Sequence, residues 1–493
     1  MPEVGSSTTA WGPDVSRTNG SAAHRRWSPE HAVRFVLDLL IALYATGLAL
    51  IVFLGGGDLG VVRFHQAEKP LLALLLLLPL RAAVGGPSWL AAVTQRTVHH
   101  LKVSWRNLST RVPAAVSTTL FAVITVRAVT IAAAFLANLT FEPAIPRGFS
   151  VPFSNAKFVE VFAAWDSGWY WDIAMRGYYL RTDAQSSIAF FPLYPMLMRL
   201  AAAPFGGSAG ATWVAGIVVA FAAYIFALVE IHRFAERLFG SREIARRTVL
   251  YIVVFPWSLF LGSVYSESVF LLTSVLALSR AYDRRWAQAG MWGALTTLTR
   301  PNGVLIAIPL AILACRDKPS IRQVITRGAA LAPIPLALAG FCAYVFVLTG
   351  DPVGWMTAQS HWGYSLGHPP WQQLQRVTAA FIDNGAYDYF FTSDIAAVEL
   401  MQAATALAFL ALTPLIFRRL GAAMGTYVLI SLLVPLSSNT LEGLGRYTSV
   451  LFPAFFVIAA MATTAWMHEA IIISSLVLRT LLVCLFVTWQ PIY

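Results

Sequence analysis

The chain has 493 residues, 57% of them hydrophobic and only 12% charged, with a formal net charge of +11 at neutral pH. Soluble domains carry about a quarter of their residues as Asp, Glu, Lys and Arg, so an ordinary water-soluble fold is excluded. Apolar runs of roughly 20 residues recur from residue 33 onward, each able to cross a hydrocarbon core about 30 Å thick. They are continuous rather than alternating, which excludes a transmembrane β-barrel and predicts an all-α polytopic membrane protein.

Residues 1–30, rich in Ser, Thr, Gly and Pro, are expected to form a disordered cytoplasmic tail. Hydropathy then predicts about thirteen spans, near 33–55, 70–86, 115–138, 209–231, 247–263, 266–282, 286–300, 302–315, 328–350, 396–417, 420–437, 448–466 and 470–489. The first run is too long for a signal-peptide core and reads as a retained span. Residues 31–113 form an N-terminal pair of spans with a basic loop, and 114–493 the main membrane domain. Arg96, Lys102, Arg106 and Arg111 occupy 87–113 without an acid. Arg233, Arg237, Arg242, Arg246 and Arg247 follow, then Arg284, Arg285, Arg316, Lys318, Arg322 and Arg327. With the N-terminus inside, all of these loops fall in the cytoplasm, as the positive-inside rule requires. The basicity is topogenic, so nucleic acid is not an expected partner. Cys315, Cys342 and Cys484 are scattered and suit neither a disulfide framework nor a metal site.

The same topology puts the long segments 139–208, neutral, and 351–395, acidic, on the outer face, where interfacial helices are expected. The four runs between 247 and 315 are short for a lipid-exposed helix and fit best where helices tilt or line a cavity open to water. Thr299-Arg300-Pro301-Asn302-Gly303 breaks one long apolar run into a hairpin with Arg300 at its outer tip.

Most of the unusual polar residues gather on that outer face. Trp165-Asp166-Ser167-Gly168-Trp169-Tyr170-Trp171-Asp172 sets two carboxylates among aromatic rings, and Phe190-Phe191-Pro192-Leu193-Tyr194-Pro195 follows. Tyr265-Ser266-Glu267, Arg300 with Asn302, His361, and Glu442 with Arg446 complete the set. Asp166 reads equally as a helix N-cap or as a base. Asp172 lies roughly 240° around a helix from Asp166, which argues against a paired-carboxylate site and favours a solvated or ion-paired side chain. Arg300 and Arg446 read either as snorkelling anchors or as phosphate ligands. His361 reads first as an interfacial residue, and the tryptophans as a membrane belt or a sugar platform. Arg127, inside a span, is expensive there and is expected to pair with an acid the sequence does not name.

These motifs, in this order, resemble the GT-C glycosyltransferases of the PIG-V family, the family of the second mannosyltransferase of GPI-anchor assembly, in a bacterial-type form. The resemblance covers roughly 115–466 and is carried by Trp165–Tyr170 with Ile173-Ala174 and Gly177-Tyr178, Ala189–Pro195, Tyr265–Ser268, Leu298–Gly303, and Gly445-Arg446-Tyr447 leading into Phe452-Pro453. Gly445 stands where the family often has proline. The resemblance implies a GT-C-like bundle that moves mannose from a polyprenyl-phosphate-mannose donor to a lipid or glycan acceptor outside the cytoplasm, with inversion. It implies Asp166 as general base and Arg300 and Arg446 as donor-phosphate ligands. Trp165, Trp169, Tyr170, Asp172, Tyr194, Tyr265, Glu267, Asn302 and His361 are candidates for orienting substrate. Neither metal nor other cofactor is expected, since no ligand cluster or Gly-rich phosphate loop is present. Membrane lipids are the expected surroundings, in a bacterial plasma membrane with the site facing outward. A transporter or flippase of a polyprenyl-linked sugar, or transfer of another sugar, is the alternative reading.

Overall fold

The computed structural model describes residues 29–54, 57–59, 62–64, 68–84, 112–146, 148–149, 159–181, 184–391 and 397–492. The expected tail up to residue 28 and the basic loop residues Arg96, Lys102, Arg106 and Arg111 lie outside them. The described chain is helical apart from one two-stranded antiparallel hairpin, Gly57–Leu59 with Val62–Phe64. That hairpin joins α1 (Pro29–Leu54) to α2 (Glu68–Val84), which pack on each other. Arg81 Nε donates to Asp38 Oδ1 at 2.7 Å across this pair.

The main bundle begins with α3 (Ala114–Thr140). The short helices α4 (Ser167–Arg176) and α5 (Leu193–Ala202) lead into the long α6 (Ala209–Phe239). Then come α7 (Arg242–Val254), α8 (Glu267–Tyr282), α9 (Trp286–Thr297) and α10 (Ala307–Ala314). Next are α11 (Ile321–Leu331), α12 (Pro333–Thr349), α13 (Gly354–Ser360), α14 (Gln372–Phe391) and α15 (Ala397–Leu420). The chain closes with α16 (Ala422–Leu436), α17 (Leu444–Thr448), α18 (Phe452–Met461) and α19 (Ala465–Val487).

Among the described residues, five helical segments are long and apolar enough to cross a membrane: Ala114–Thr140, Ala209–Phe239, Ile321–Thr349, Val398–Leu420 and Ala465–Val487. The chain is therefore an integral membrane protein. The expected count of about thirteen spans goes beyond these five. Proline shortens two of the other expected runs. The run expected at 247–263 stops being helical at Val254, because Pro256 lacks a donor and drives Phe255 to an extended conformation (φ −52°, ψ 135°). The run at 302–315 starts as a 3₁₀ turn, Pro301–Ile306, before α10. Non-helical backbone at such depth is tolerable only where protein or a water-filled cavity covers it; the break at Pro301 lines the cavity described below, and the break at Phe255 is covered by packed rings.

Aromatic rings fill the core where these breaks leave space. Phe255, Phe409 and Phe455 pack together, with centroids 5.1–5.8 Å apart. Phe234 and Phe452 meet Phe456 edge-on. Along α8 the polarity is segregated. Glu267 begins it at the cavity end, while Ser279 and Arg280 near its other end join the buried Glu230 of α6 (Ser279 Oγ to Glu230 Oε1, 2.6 Å; Arg280 Nη1 to Glu230 Oε1, 3.3 Å). Glu267 and Arg280 are thirteen residues apart on this helix, about 20 Å. Acidic–basic chemistry around the cavity is thus held a membrane-scale distance from the arginine-rich turns.

Candidate active site

The site begins with two strained or broken pieces of backbone. Trp165 adopts a left-handed conformation (φ 58°), sparsely populated by bulky residues. Its ring is held against Trp489, 5.1 Å away between centroids. The next residue, Asp166, has its backbone N–H bonded to the Tyr265 hydroxyl at 3.2 Å, and that hydroxyl donates to the Ala164 carbonyl at 3.0 Å. Tyr265 therefore clamps the turn that aims Asp166. Asp166 stands at the N-cap position of α4, yet its side chain makes no capping hydrogen bond. It accepts instead from Arg446 Nη1, at 2.7 Å. The N-cap reading of Asp166 is set aside by this geometry.

Arg300 owes its position to Pro301. The residue before proline is pushed out of the helical region, and Arg300 is extended (φ −158°, ψ 154°). Gly303 lets the 3₁₀ turn pack on α9, since a Cβ there would lie 2.2 Å from the Thr296 carbonyl oxygen. Arg300 is 6% exposed, too buried for a snorkelling anchor, and its Nη2 donates to Glu267 Oε1 at 2.6 Å. The same oxygen lies 3.2 Å from Arg446 Nε. Asp166, Arg446, Glu267 and Arg300 thus form one chain of alternating charge. Glu267 is fully buried, in the first turn of α8, where the helix dipole favours an anion. Its Oε2 and Arg300 Nη1 have no hydrogen-bond partner.

The guanidinium groups are further framed by rings. Arg300 stacks 4.6 Å from the Tyr447 centroid, and Arg446 lies 5.4 Å from Tyr265 and 5.6 Å from Phe260. Burial alone would lower the Arg446 pKa, but Glu267 and Asp166 more than offset it and hold this group well above the ordinary arginine value.

Asp166, Arg300 and Arg446 open into a cavity of about 540 Å³. Its aromatic wall is Trp169, Phe190 and Trp362. Trp169 stacks near-parallel on Phe190 (5.9 Å), and Trp362 meets both rings edge-on (5.4 and 5.6 Å). Trp165, Tyr170, Thr299, His361, Tyr364, Glu442, Tyr447 and Trp489 also line it. The Tyr364 hydroxyl donates to the Glu442 carbonyl at 3.1 Å, with its pKa raised well above the usual phenol value by burial. Burial and the nearby Asp166 raise the Glu442 carboxyl pKa against the pull of Arg446.

Of the residues singled out in the sequence, Asp166, Arg300, Arg446, Trp165, Trp169, Tyr170 and His361 are brought together in this cavity. Tyr265 and Glu267 stand behind its wall and position others. Three lie elsewhere. Tyr194 is fully buried and donates to the Gly216 carbonyl at 2.9 Å. Asp172 sits one helical turn from its ion-pair partner Arg176, at 3.4 Å, as its offset from Asp166 implied. Asn302 follows Pro301 into the 3₁₀ turn and does not line the cavity. Glu442 and Phe190, also singled out in the sequence, line the cavity, as do Tyr364, Tyr447, Thr299, Trp362 and Trp489. Tyr447 was legible as the neighbour of Arg446, whereas nothing local in the sequence marks Trp489, which comes from the far end of the chain.

Gly445 accounts for the departure from proline noted above. A Cβ there would lie 2.1 Å from Cε2 of Trp257, and its N–H donates to Gln402 Oε1 at 3.4 Å. Neither proline nor alanine fits beside this tryptophan. Gly445→Ala is expected to cost about 1–3 kcal/mol by overpacking and to displace Arg446. A lowered midpoint of thermal unfolding in detergent checks it, and an unchanged midpoint would show that Trp257 yields freely.

Comparison with known proteins adds the following. Residues 109–317 match the family model described as Mannosyltransferase (PIG-V). The chain is similar to GPI mannosyltransferase 2 of Yarrowia lipolytica (strain CLIB 122 / E 150), with 27% identity over 157 residues, 32% of this chain and 42% of that protein. It thus spans less than half the length of that relative. Among solved structures it is similar to the Archaeoglobus fulgidus oligosaccharyltransferase in the apo form, at 12% identity over 74% of this chain and 56% of that one, with a TM-score of 0.42. ArnT from Cupriavidus metallidurans bound to undecaprenyl phosphate gives 12% identity, 74% and 76% coverage, and a TM-score of 0.41. The segment that matches the PIG-V mannosyltransferase family model, residues 109–317, contains Asp166, Glu267 and Arg300.

Proposed function

We propose that the protein is a membrane mannosyltransferase that takes mannose from a polyprenyl-phosphate carrier and delivers it to a hydroxyl of a lipid or glycan acceptor. The observation that carries this reading is the meeting of Asp166, Arg446 and Arg300 on one cavity wall, two of them inside the family-matched segment. Asp166 Oδ takes the proton of the acceptor hydroxyl. The acceptor oxygen attacks the anomeric carbon from the face opposite the phosphate, the bond from that carbon to the phosphate oxygen breaks, and the configuration inverts. The leaving phosphate gains one negative charge, and Arg300 Nη1, a buried donor with no partner, is available to meet it. Arg446 divides its charge between Asp166 and the incoming phosphate, so binding of donor weakens its hold on the base. The rings of Trp169, Phe190 and Trp362 offer apolar faces to the sugar.

The reaction so written needs no metal or other cofactor, because two guanidinium groups compensate the leaving group. The catalytic cavity faces away from the cytoplasm, opposite the arginine-rich turns, in a bacterial plasma membrane, and the bundle is GT-C-like. The test is incubation of the purified protein with labelled polyprenyl-phosphate-mannose and an extract of envelope lipids, followed by product analysis. A new mannosidic bond with release of polyprenyl phosphate is expected. Movement of the donor across proteoliposomes without a new bond would replace this reading by a flippase.

A further inference from the structure

A second cationic centre lies inside the bundle, away from the cavity. Arg127 stands midway along α3 and is 8% exposed; Arg479, in the middle of α19, is fully buried. Arg127 rests on the rings of Phe221 and Tyr224, 5.2 and 5.9 Å from their centroids. Arg479 enters the same interior from α19, which packs along α3. Gly262, with φ 83°, lets the Arg127 head lie against the backbone, since a Cβ there would be 2.8 Å from Nη2.

No acid answers these charges. Among the described residues, no carboxylate forms an ion pair with either arginine, and the expected acidic partner of Arg127 is missing. Nε and Nη2 of Arg127, Nε and Nη2 of Arg479 and the Tyr224 hydroxyl are all buried without a hydrogen-bond partner. Arg479 Nη1 reaches the Phe255 carbonyl, just past the end of α7, at 3.3 Å. A helix C-terminus offers only about half a negative charge. Arginine does not shed its proton in proteins. Two like charges in a low-dielectric interior, with five unused donors, cost several kcal/mol unless a counter-charge is present.

We propose that Arg127, Arg479 and Tyr224 bind a phosphate-class oxyanion between α3, α6 and α19, either a free anion or the headgroup of a phosphate-bearing lipid. Planar guanidinium forks and one phenolic donor suit a tetrahedral oxyanion with several acceptor oxygens. The site is independent of the transfer reaction, because none of its residues lines the catalytic cavity.

The test uses delipidated full-length protein, with inorganic phosphate in one arm and dioleoyl phosphatidate in mixed micelles in the other, read by thermal unfolding and native mass spectrometry. One retained equivalent and a raised midpoint are expected in at least one arm. A response to phosphatidate alone assigns the lipid headgroup, and a response to both assigns a site open to the free anion. The response persists in Arg300→Met, which removes a phosphate ligand of the catalytic cavity, and is lost when Arg479→Met is added to that background. Tyr224→Phe, which preserves the packing, weakens binding about tenfold by removing one donor to a charged group. An unchanged response in Arg479→Met and Tyr224→Phe on the Arg300→Met background, or no response of wild type in either arm, overturns the proposal.

Discussion

Asp166→Asn is expected to lower mannosyl transfer by about 10²–10⁴-fold, the usual contribution of a positioned general base, while the protein remains folded and inserted. The reason for expecting so clean a separation is local. The Asp166 backbone, not its side chain, is what Tyr265 holds, and the side chain caps no helix. Asparagine has the same shape, so the left-handed turn at Trp165 and the start of α4 persist. Arg446 keeps its contact with Glu267 when the Asp166 charge is gone. The measurement is single-turnover transfer from labelled donor, with donor binding and thermal unfolding determined on the same preparation. Loss of turnover with donor binding intact is the expected pattern. Turnover within a few-fold of wild type would remove Asp166 from the role of base and leave it as a partner that orients Arg446.

What the sequence made legible follows a physical division. The membrane character and the helix positions are carried by apolar composition over long windows, and the main-domain runs at 115–138, 209–231 and 470–489 reappear as α3, α6 and α19. The length of each helix was less legible where a single proline decides it. Pro256 cuts α7 short, yet in hydropathy it is one residue inside a continuous apolar run. The same kind of residue was informative at Pro301, where arginine beside it signalled a polar break. Within the site, Asp166, Arg300 and Arg446 stood out because charge at a membrane surface is conspicuous. Their pairing was not legible, since Arg446 is 280 residues from Asp166 and no local pattern encodes the closure of the bundle. Tyr194 lies away from the cavity for a related reason. It belongs to a motif that passes beside the cavity, but its hydroxyl turns to the backbone of α6 because a buried phenol must find an acceptor. Glu267, a candidate for orienting substrate, is the anion that holds two arginines at the wall.

That placement makes Glu267 the position where the largest loss of stability is expected. Glu267→Gln retains the shape of the side chain and removes the carboxylate that pairs with Arg300. Arg300 and Arg446 are then left facing each other at 6% and 13% side-chain exposure, with Asp166 still paired to Arg446. Breaking a buried charge pair from one side costs about 3–5 kcal/mol, a large share of the stability of most folds. The unpartnered Glu267 Oε2 does not change this sign, because the relief of one unsatisfied oxygen is smaller than the exposure of two guanidinium groups to each other. Glu267→Gln combined with Arg300→Met is expected to recover most of that loss, since it leaves the neutral pair of Asp166 and Arg446. The cycle is therefore strongly non-additive, as expected for groups in direct contact, and transfer stays lost in the double variant because the leaving phosphate has lost Arg300. Thermal unfolding of the two single variants and the double variant in one detergent measures this coupling. Additive losses would mean that Glu267 acts on the two arginines separately, or not at all, and the shared-anion account of the site would fail.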